Sequence, residues 1–250
     1  MTNRIMHFGI EIKNKSTNNI SRDKYLLAKP EGMTGWTEEH YEKQRIKAAI
    51  NFDANMKYFA QLDKKEFNKY LQKMCKKYKF VECLDINLVK ELSGLYIMVL
   101  DNYKQFYIGK SSDIKKRIQQ HWNKKKSLER LVFGDMCNSI LSIDSFGALD
   151  TTRIFYKECR SSDLDVLEEK LVNIFDTKYM LNRTSGGIGS SVTYTDDLVS
   201  TQIAVLAGKK KRCLIDYVDM EAIRNFFEQS GENEKLYYIS KYPNLKEFVK

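Results

Sequence analysis

The chain has 250 residues, of which 42% are hydrophobic and 30% charged, with only two prolines. That is enough apolar mass for a packed core, and it excludes collagen-like and disordered chains. The net charge of +9 suits a polyanionic partner, nucleic acid or an anionic membrane, although a lysine-rich composition alone would produce the same balance.

The N-terminal stretch "MTNRIMHFGIEIKNK" is charged and has no apolar core of a leader peptide. It contains one expected strand, "IMHFGIEI", followed by a loop at "KPEGMTGW". A helix is expected from Thr37, which can cap it, with acidic residues in its first turn. A second helix follows Asp63. Phe67, Tyr70, Leu71, Met74, Cys75 and Tyr78 recur at helical spacing, and Lys65, Lys69, Lys73, Lys76 and Lys77 make the other face. That lysine face is a solvated surface or a phosphate-facing one.

The middle of the chain changes character. "GLYIMVL" and "QFYIGK" read as a hairpin around "DNYK". A turn centred between Asn102 and Tyr103 sets Tyr96 opposite Gly109 and Met98 opposite Tyr107. With side chains alternating faces, Tyr96 and Tyr107 become diagonal neighbours about 7–8 Å apart at the backbone. Ser112 can cap the next helix, "DIKKRIQQHW", where Ile114, Ile118 and Trp122 define the buried face. Arg117 and His121 lie on its flank, one turn apart. A further helix is expected over 127–142, then a third strand in "TTRIFYKEC".

Ser162 is expected to cap "DLDVLEEKLVNIFDTKY", whose wheel puts Glu168 inside the apolar stripe and Glu169 outside it. A buried carboxylate needs a partner. The candidates are Arg117, Arg153, a backbone amide or a divalent metal, for which a hard oxygen ligand is suitable. Asn182 follows in the Gly/Ser-rich loop "MLNRTSGGIGSS", where it forms a turn, holds the loop or meets a phosphate. From about residue 191 come a basic run at 209–212 and an expected strand, helix and strand in "CLIDYV", "MEAIRNFFEQ" and "KLYYISKY".

The five cysteines, Cys75, Cys83, Cys137, Cys159 and Cys213, form no zinc spacing, and no run of about 18 apolar residues exists. A reduced, cytoplasmic protein with no membrane span is expected.

"GLY" at 94–96 and "YIG" at 107–109, ten residues apart, resemble the two signature triplets of the GIY-YIG nucleases. Arg117 stands eight residues after Gly109 and His121 four further, both where that pattern has them. Glu168 and Asn182 complete the set in order. The departures are Leu95 in the first triplet and a long basic segment after His121. The resemblance covers residues 92–187 and implies an α+β fold: a small three-stranded antiparallel sheet flanked by helices. Around it stand a mainly helical N-terminal extension, 1–91, and a small α/β extension, 191–250, with the nuclease domain at 92–190.

The resemblance further implies a metal-dependent DNA endonuclease, first of all of restriction type, with homing or repair nucleases and a non-catalytic nucleic-acid binder as alternatives. Glu168 would hold one Mg2+ or Mn2+ per active site. Tyr96 would act on the attacking water, Tyr107 would orient it, Arg117 would stabilise the phosphorane charge, and His121 would relay the tyrosine proton. Lys110, Lys115, Lys116 and Asn182 would bind substrate, which is double-stranded DNA. Cutting both strands would take a homodimer or two successive nicks.

Overall fold

The computed structural model describes residues 4–13, 15, 18–26, 37–123, 141–182 and 220–241. In chain order these form β1 (Arg4–His7), β2 (Ile10–Lys13), α1 (Arg22–Leu26), α2 (Glu38–Gln61), α3 (Lys64–Tyr78), β3 (Val81–Glu82), β4 (Gly94–Leu100), β5 (Gln105–Ser111), α4 (Ile114–Asn123), β6 (Arg153–Glu158), α5 (Leu164–Ile174), α6 (Met220–Gln229) and α7 (Glu232–Lys241). They divide into two compact units. One comprises Met1–Ser21, Phe59–Lys125 and Ser142–Ser191, the other Arg22–Tyr58, Lys126–Leu141 and Val192–Lys250.

The first unit is built on an antiparallel sheet in the order β3-β6-β4-β5. The hairpin has the expected register, with Tyr96 opposite Gly109 and Met98 opposite Tyr107. The sheet has four strands rather than three. Its extra edge strand, Val81–Glu82, is only two residues long, too short for any alternation to reveal it.

Every residue of β4 is buried, so both faces of the sheet are covered. Leu95, Ile97, Phe106 and Ile108 share one face by alternation. Against it lie Tyr70 of α3, stacked on Phe106 at 6.4 Å between centroids, and Phe175, edge-on to Phe106 at 5.5 Å. On the other face α4 buries Ile114, Ile118 and His121.

α3 begins at Asp63, whose carboxylate accepts the Glu66 N–H at 2.7 Å, and ends at Lys79 in the left-handed region. It buries Phe67, Leu71, Met74 and Cys75, and its five striped lysines are exposed. α4 is capped by Asp113, not Ser112: the Lys116 N–H donates to the Asp113 carboxylate at 3.0 Å. A carboxylate favours this end of a helix more than a hydroxyl does. Nor does Ser162 cap an α-helix. Ser161–Asp163 form a 3-10 turn, and α5 runs only from Leu164 to Ile174, with Thr177–Tyr179 as a separate turn.

The expected strand at 5–12 is a hairpin. Phe8 and Gly9 have φ of 47° and 74°, the two positive values a type I′ turn requires, and β1 pairs with β2 around them. The hairpin is tied into the same unit. The Ile86 N–H donates to the Phe8 carbonyl at 3.0 Å, Asn87 to the Gly9 carbonyl at 3.0 Å, and the His7 ring meets the Ala148 carbonyl at 2.8 Å.

In the second unit α2 starts where expected, with the Thr37 carbonyl accepting the Tyr41 N–H at 3.0 Å. Arg22 of α1 pairs with Asp53 of α2 at 2.9 Å, and Tyr25 meets Phe52 at 5.1 Å. α6 matches its expected helix. The last expected strand, "KLYYISKY", is instead helical over 235–241. Its aromatic and β-branched residues favour a strand. The Gly231 carbonyl nevertheless accepts both the Glu234 and Lys235 N–H groups, and Tyr238 is buried edge-on to Phe227 of α6 at 5.9 Å. Tertiary packing overrides the local preference. The loop at 29–36, residues 127–140 of the helix expected after α4, the loop past Asn182, the run at 209–212 and the strand at 213–218 lie outside the described residues. Among those described, no helix is long and apolar enough to cross a membrane.

Candidate active site

Gly109 is where the site begins. A Cβ there would overlap the hydroxyl and Cζ of Tyr96 and press on the Tyr107 ring. The missing side chain is the space that the Tyr96 ring occupies. Gly94, at the start of β4, allows the Lys157 carbonyl of β6 to approach equally closely. Tyr96 is fully buried, and its ring lies 6.3 Å from that of Tyr107, as diagonal pairing requires.

His121 closes the group from α4. Its ring is 6.1 Å from Tyr96 and 5.2 Å from Tyr107, and its Nε2 lies 2.8 Å from the Tyr96 hydroxyl. Its Nδ1 lies 2.6 Å from Oδ1 of Asp144. Asp144 was not anticipated from sequence. It stands between α4 and β6, in a 3-10 turn outside the signature spacing; an acidic residue within the apolar run "ILSIDSFGAL" is the one signal it leaves.

Arg117, one turn before His121, is partly exposed and donates to Gln120 Oε1 at 3.3 Å. Burial pushes the Tyr96 phenol well above its ordinary range, with Tyr107 adding to the shift; Arg117 pulls the other way and loses. Tyr107 is also raised, by burial first and then by the charge of Glu168, which Arg117 only partly offsets. Both phenols are therefore held protonated at neutral pH, and neither is a ready-made phenolate.

Glu168 is buried on α5 among Leu164, Leu171 and Val172, while Glu169 is exposed, as the wheel indicates. Among the described side chains its partner is neither Arg117 nor Arg153. The ammonium of Lys110 lies 2.8 Å from the Glu168 carboxylate and also pairs with Asp165, one turn earlier on α5. Arg153 is occupied elsewhere, on Asp101 and Asn68. Burial works against the charge on Lys110, but the two carboxylates outweigh it and its pKa is raised. Lys110 belongs to the Phe106 face and the tyrosines to the other, so Glu168 meets the aromatic group across the edge strand β5. Among charges, Glu168 is the leading influence on Tyr107 but ranks behind Tyr107 and Arg117 at Tyr96.

A cation suits this corner, because an ammonium already lies against the carboxylate. Among the described residues no three His, Cys, Asp or Glu side chains gather around one point. A metal held by Glu168 would therefore draw most of its coordination from water and substrate, the habit of Mg2+ with one or two carboxylates.

Asn182 is buried and engaged with β5. Its Oδ1 accepts the Ile108 N–H at 2.9 Å, and its Nδ2 donates to the Ile108 carbonyl at 2.8 Å. It acts as one residue of a neighbouring strand. Lys115 is partly exposed and donates to Asn87 at 2.7 Å, and Lys116 is exposed. Lys124, Lys125 and Lys126 lie outside the described residues.

Comparisons with curated proteins and with solved structures return no match. Residues 92–174 match the family model of the GIY-YIG catalytic domain. That segment holds both triplets, Arg117, His121, Asp144 and Glu168. Residues 92–174, about a third of the chain, are thus similar to the GIY-YIG catalytic domain, a domain of nuclease type.

Proposed function

We propose that the protein is a metal-dependent DNA endonuclease of restriction type, cytoplasmic, acting on double-stranded DNA. The observation that supports it is the meeting of Tyr96, Tyr107, Arg117 and His121 at one end of the sheet, with Glu168 and Lys110 at the adjoining edge. Uncatalysed phosphodiester hydrolysis is slow enough that several groups must act together.

Glu168 would hold one Mg2+ or Mn2+, with Asp165 and the tyrosine pair nearby. Such an ion would supply phosphate charge neutralisation and Lewis-acid polarisation of the phosphoryl oxygen. Tyr96 orients the attacking water and takes its proton while passing its own to His121. Tyr107 positions the water or a phosphate oxygen. Arg117 faces the charge that gathers on five-coordinate phosphorus. Lys110, beside Glu168, would contact a phosphate oxygen. Lys115 and Lys116 contact the backbone of the duplex, and Asn182 contributes by holding β5. Cutting both strands takes a homodimer or two successive nicks. Sequence recognition falls to residues outside the catalytic segment, since phosphate contacts carry no sequence information.

Plasmid cleavage by the purified full chain with Mg2+ or Mn2+ tests this. Tyr96→Phe and Glu168→Gln should each reduce the rate by at least about a hundredfold, the usual effect of losing a general-base or charge-stabilising group. Unchanged cleavage by either variant would refute the assignment. No cleavage of diverse DNA by the wild type would favour a non-catalytic binder. Sequencing the ends separates restriction from homing or repair: short defined sites support the first, long or structure-directed sites the others.

A further inference from the structure

We infer that Asp144 is a positioning residue of this site, fixing the His121 ring so that its Nε2 is the acceptor of the Tyr96 proton. The catalytic consequence rests on the nuclease reading above; the orientation of the ring rests on geometry alone.

An ionised carboxylate can only accept hydrogen bonds. The 2.6 Å contact between Asp144 Oδ1 and His121 Nδ1 therefore places a proton on Nδ1. In the neutral ring Nε2 is then left with a lone pair, and it faces the Tyr96 hydroxyl at 2.8 Å. Tyr96 donates to that nitrogen, which leaves its oxygen's lone pairs for the Arg117 guanidinium and for an incoming water. Such an acceptor is needed, because burial keeps the Tyr96 phenol protonated despite Arg117.

The protons balance as follows. The water oxygen bonds to phosphorus and gives its proton to the Tyr96 oxygen, as the Tyr96 proton moves to Nε2. The bond from phosphorus to the leaving ester oxygen breaks, and its electron pair stays on that oxygen. The imidazolium formed is held by the Asp144 carboxylate and later returns its proton to solvent, the division of labour known for acid–histidine pairs in hydrolases.

The turn that carries Asp144 is well anchored. The Ser142 hydroxyl accepts the Asp144 N–H at 3.3 Å, the Ser145 N–H donates to the Ser142 carbonyl at 2.7 Å, and Ile143 and Phe146 are buried on either side. The described groups that meet His121 include Tyr96 of β4, Tyr107 of β5 and Asp144, while Arg117 of its own helix acts on both tyrosines. Glu168 of α5 acts through Tyr107.

The chain has three histidines, His7, His40 and His121, so ring-nitrogen NMR of the full chain can be assigned by substitution. Without DNA or metal, His121 should show a protonated Nδ1 and an unprotonated Nε2. A ring protonated on Nε2 and bare on Nδ1 would overturn the inference, whether or not the protein cleaves DNA. In cleavage, Asp144→Asn should lower kcat by about 10²–10⁴-fold with KM for DNA unchanged. Removing the carboxylate charge should also move the rising limb of the pH–rate profile to lower pH, and Asp144→Glu should restore part of kcat. An Asp144→Asn enzyme with wild-type kcat and pH profile would sink the idea. If that variant does not fold, the wild-type tautomer decides. A wild type that cuts no DNA would end the nuclease reading and leave the tautomer result standing.

Discussion

Gly109 shows how one absent side chain makes a site. Its open face is filled by the Tyr96 ring, so Gly109→Ala must displace that ring or the strand. Overpacking of this kind costs about 1–3 kcal/mol. Displacing Tyr96 by even about 1 Å from His121 should cost about a hundredfold in cleavage. Urea denaturation and plasmid cleavage on the same preparation check both, and a Gly109→Ala enzyme of wild-type rate would show that the tyrosine is not held by this gap. The gap was readable from sequence because hairpin register follows from turn position and period-two alternation. The partner of Glu168 was not. The wheel of α5 shows that a buried carboxylate needs company, but Lys110 approaches from another element and only packing reveals it. Asp165 was missed for a related reason. Its angle on the wheel points it away from the stripe, yet the long reach of Lys110 brings it into the pair.

At the scale of elements, the edge of the β4–β5 hairpin is closed by the Asn182 side chain and the Leu181 backbone. β5 is the last strand of the sheet, and Asn182 satisfies both backbone groups of Ile108, with the Leu181 N–H adding a bond to the Phe106 carbonyl at 2.8 Å. Asn182→Ala would leave a buried N–H and a buried carbonyl unpaired, at about 1–3 kcal/mol for each group that water cannot reach. Thermal unfolding should show the loss, and hydrogen exchange should show Ile108 losing protection ahead of Ile97. Equal protection of both amides would mean that the edge is sealed by something else. Elements with strong periodicity, α3 and the hairpin, were legible from sequence. The two-residue β3 and the capping by Asp113 were not, because neither leaves a periodic trace.

At the scale of the molecule, part of the core of the segment 92–190 is supplied from outside it. The sheet face beneath Phe106 is covered by α3, which lies before the segment, and the N-terminal hairpin is bonded at Phe8, Gly9 and His7. Phe67 and Leu71 alone contribute about 1.5–3 kcal/mol each by burial, against a typical total stability of about 5–15 kcal/mol. Residues 92–190 expressed alone should therefore show no cooperative thermal transition by circular dichroism, whereas the full chain should. A cooperative fragment that cleaves DNA would prove the flanking elements dispensable to the fold.

The sequence by itself determined which residues share a face. Turn position and the periods of strand and helix placed Tyr96 beside Tyr107, Arg117 beside His121, and Glu168 inward, since these depend only on near neighbours along the chain. Tertiary structure alone decided what each inward polar group meets. Asp144 on His121 and Lys110 on Glu168 are pairs 23 and 58 residues apart along the chain, joined by packing, and no local spacing encodes a partner brought in from a different element.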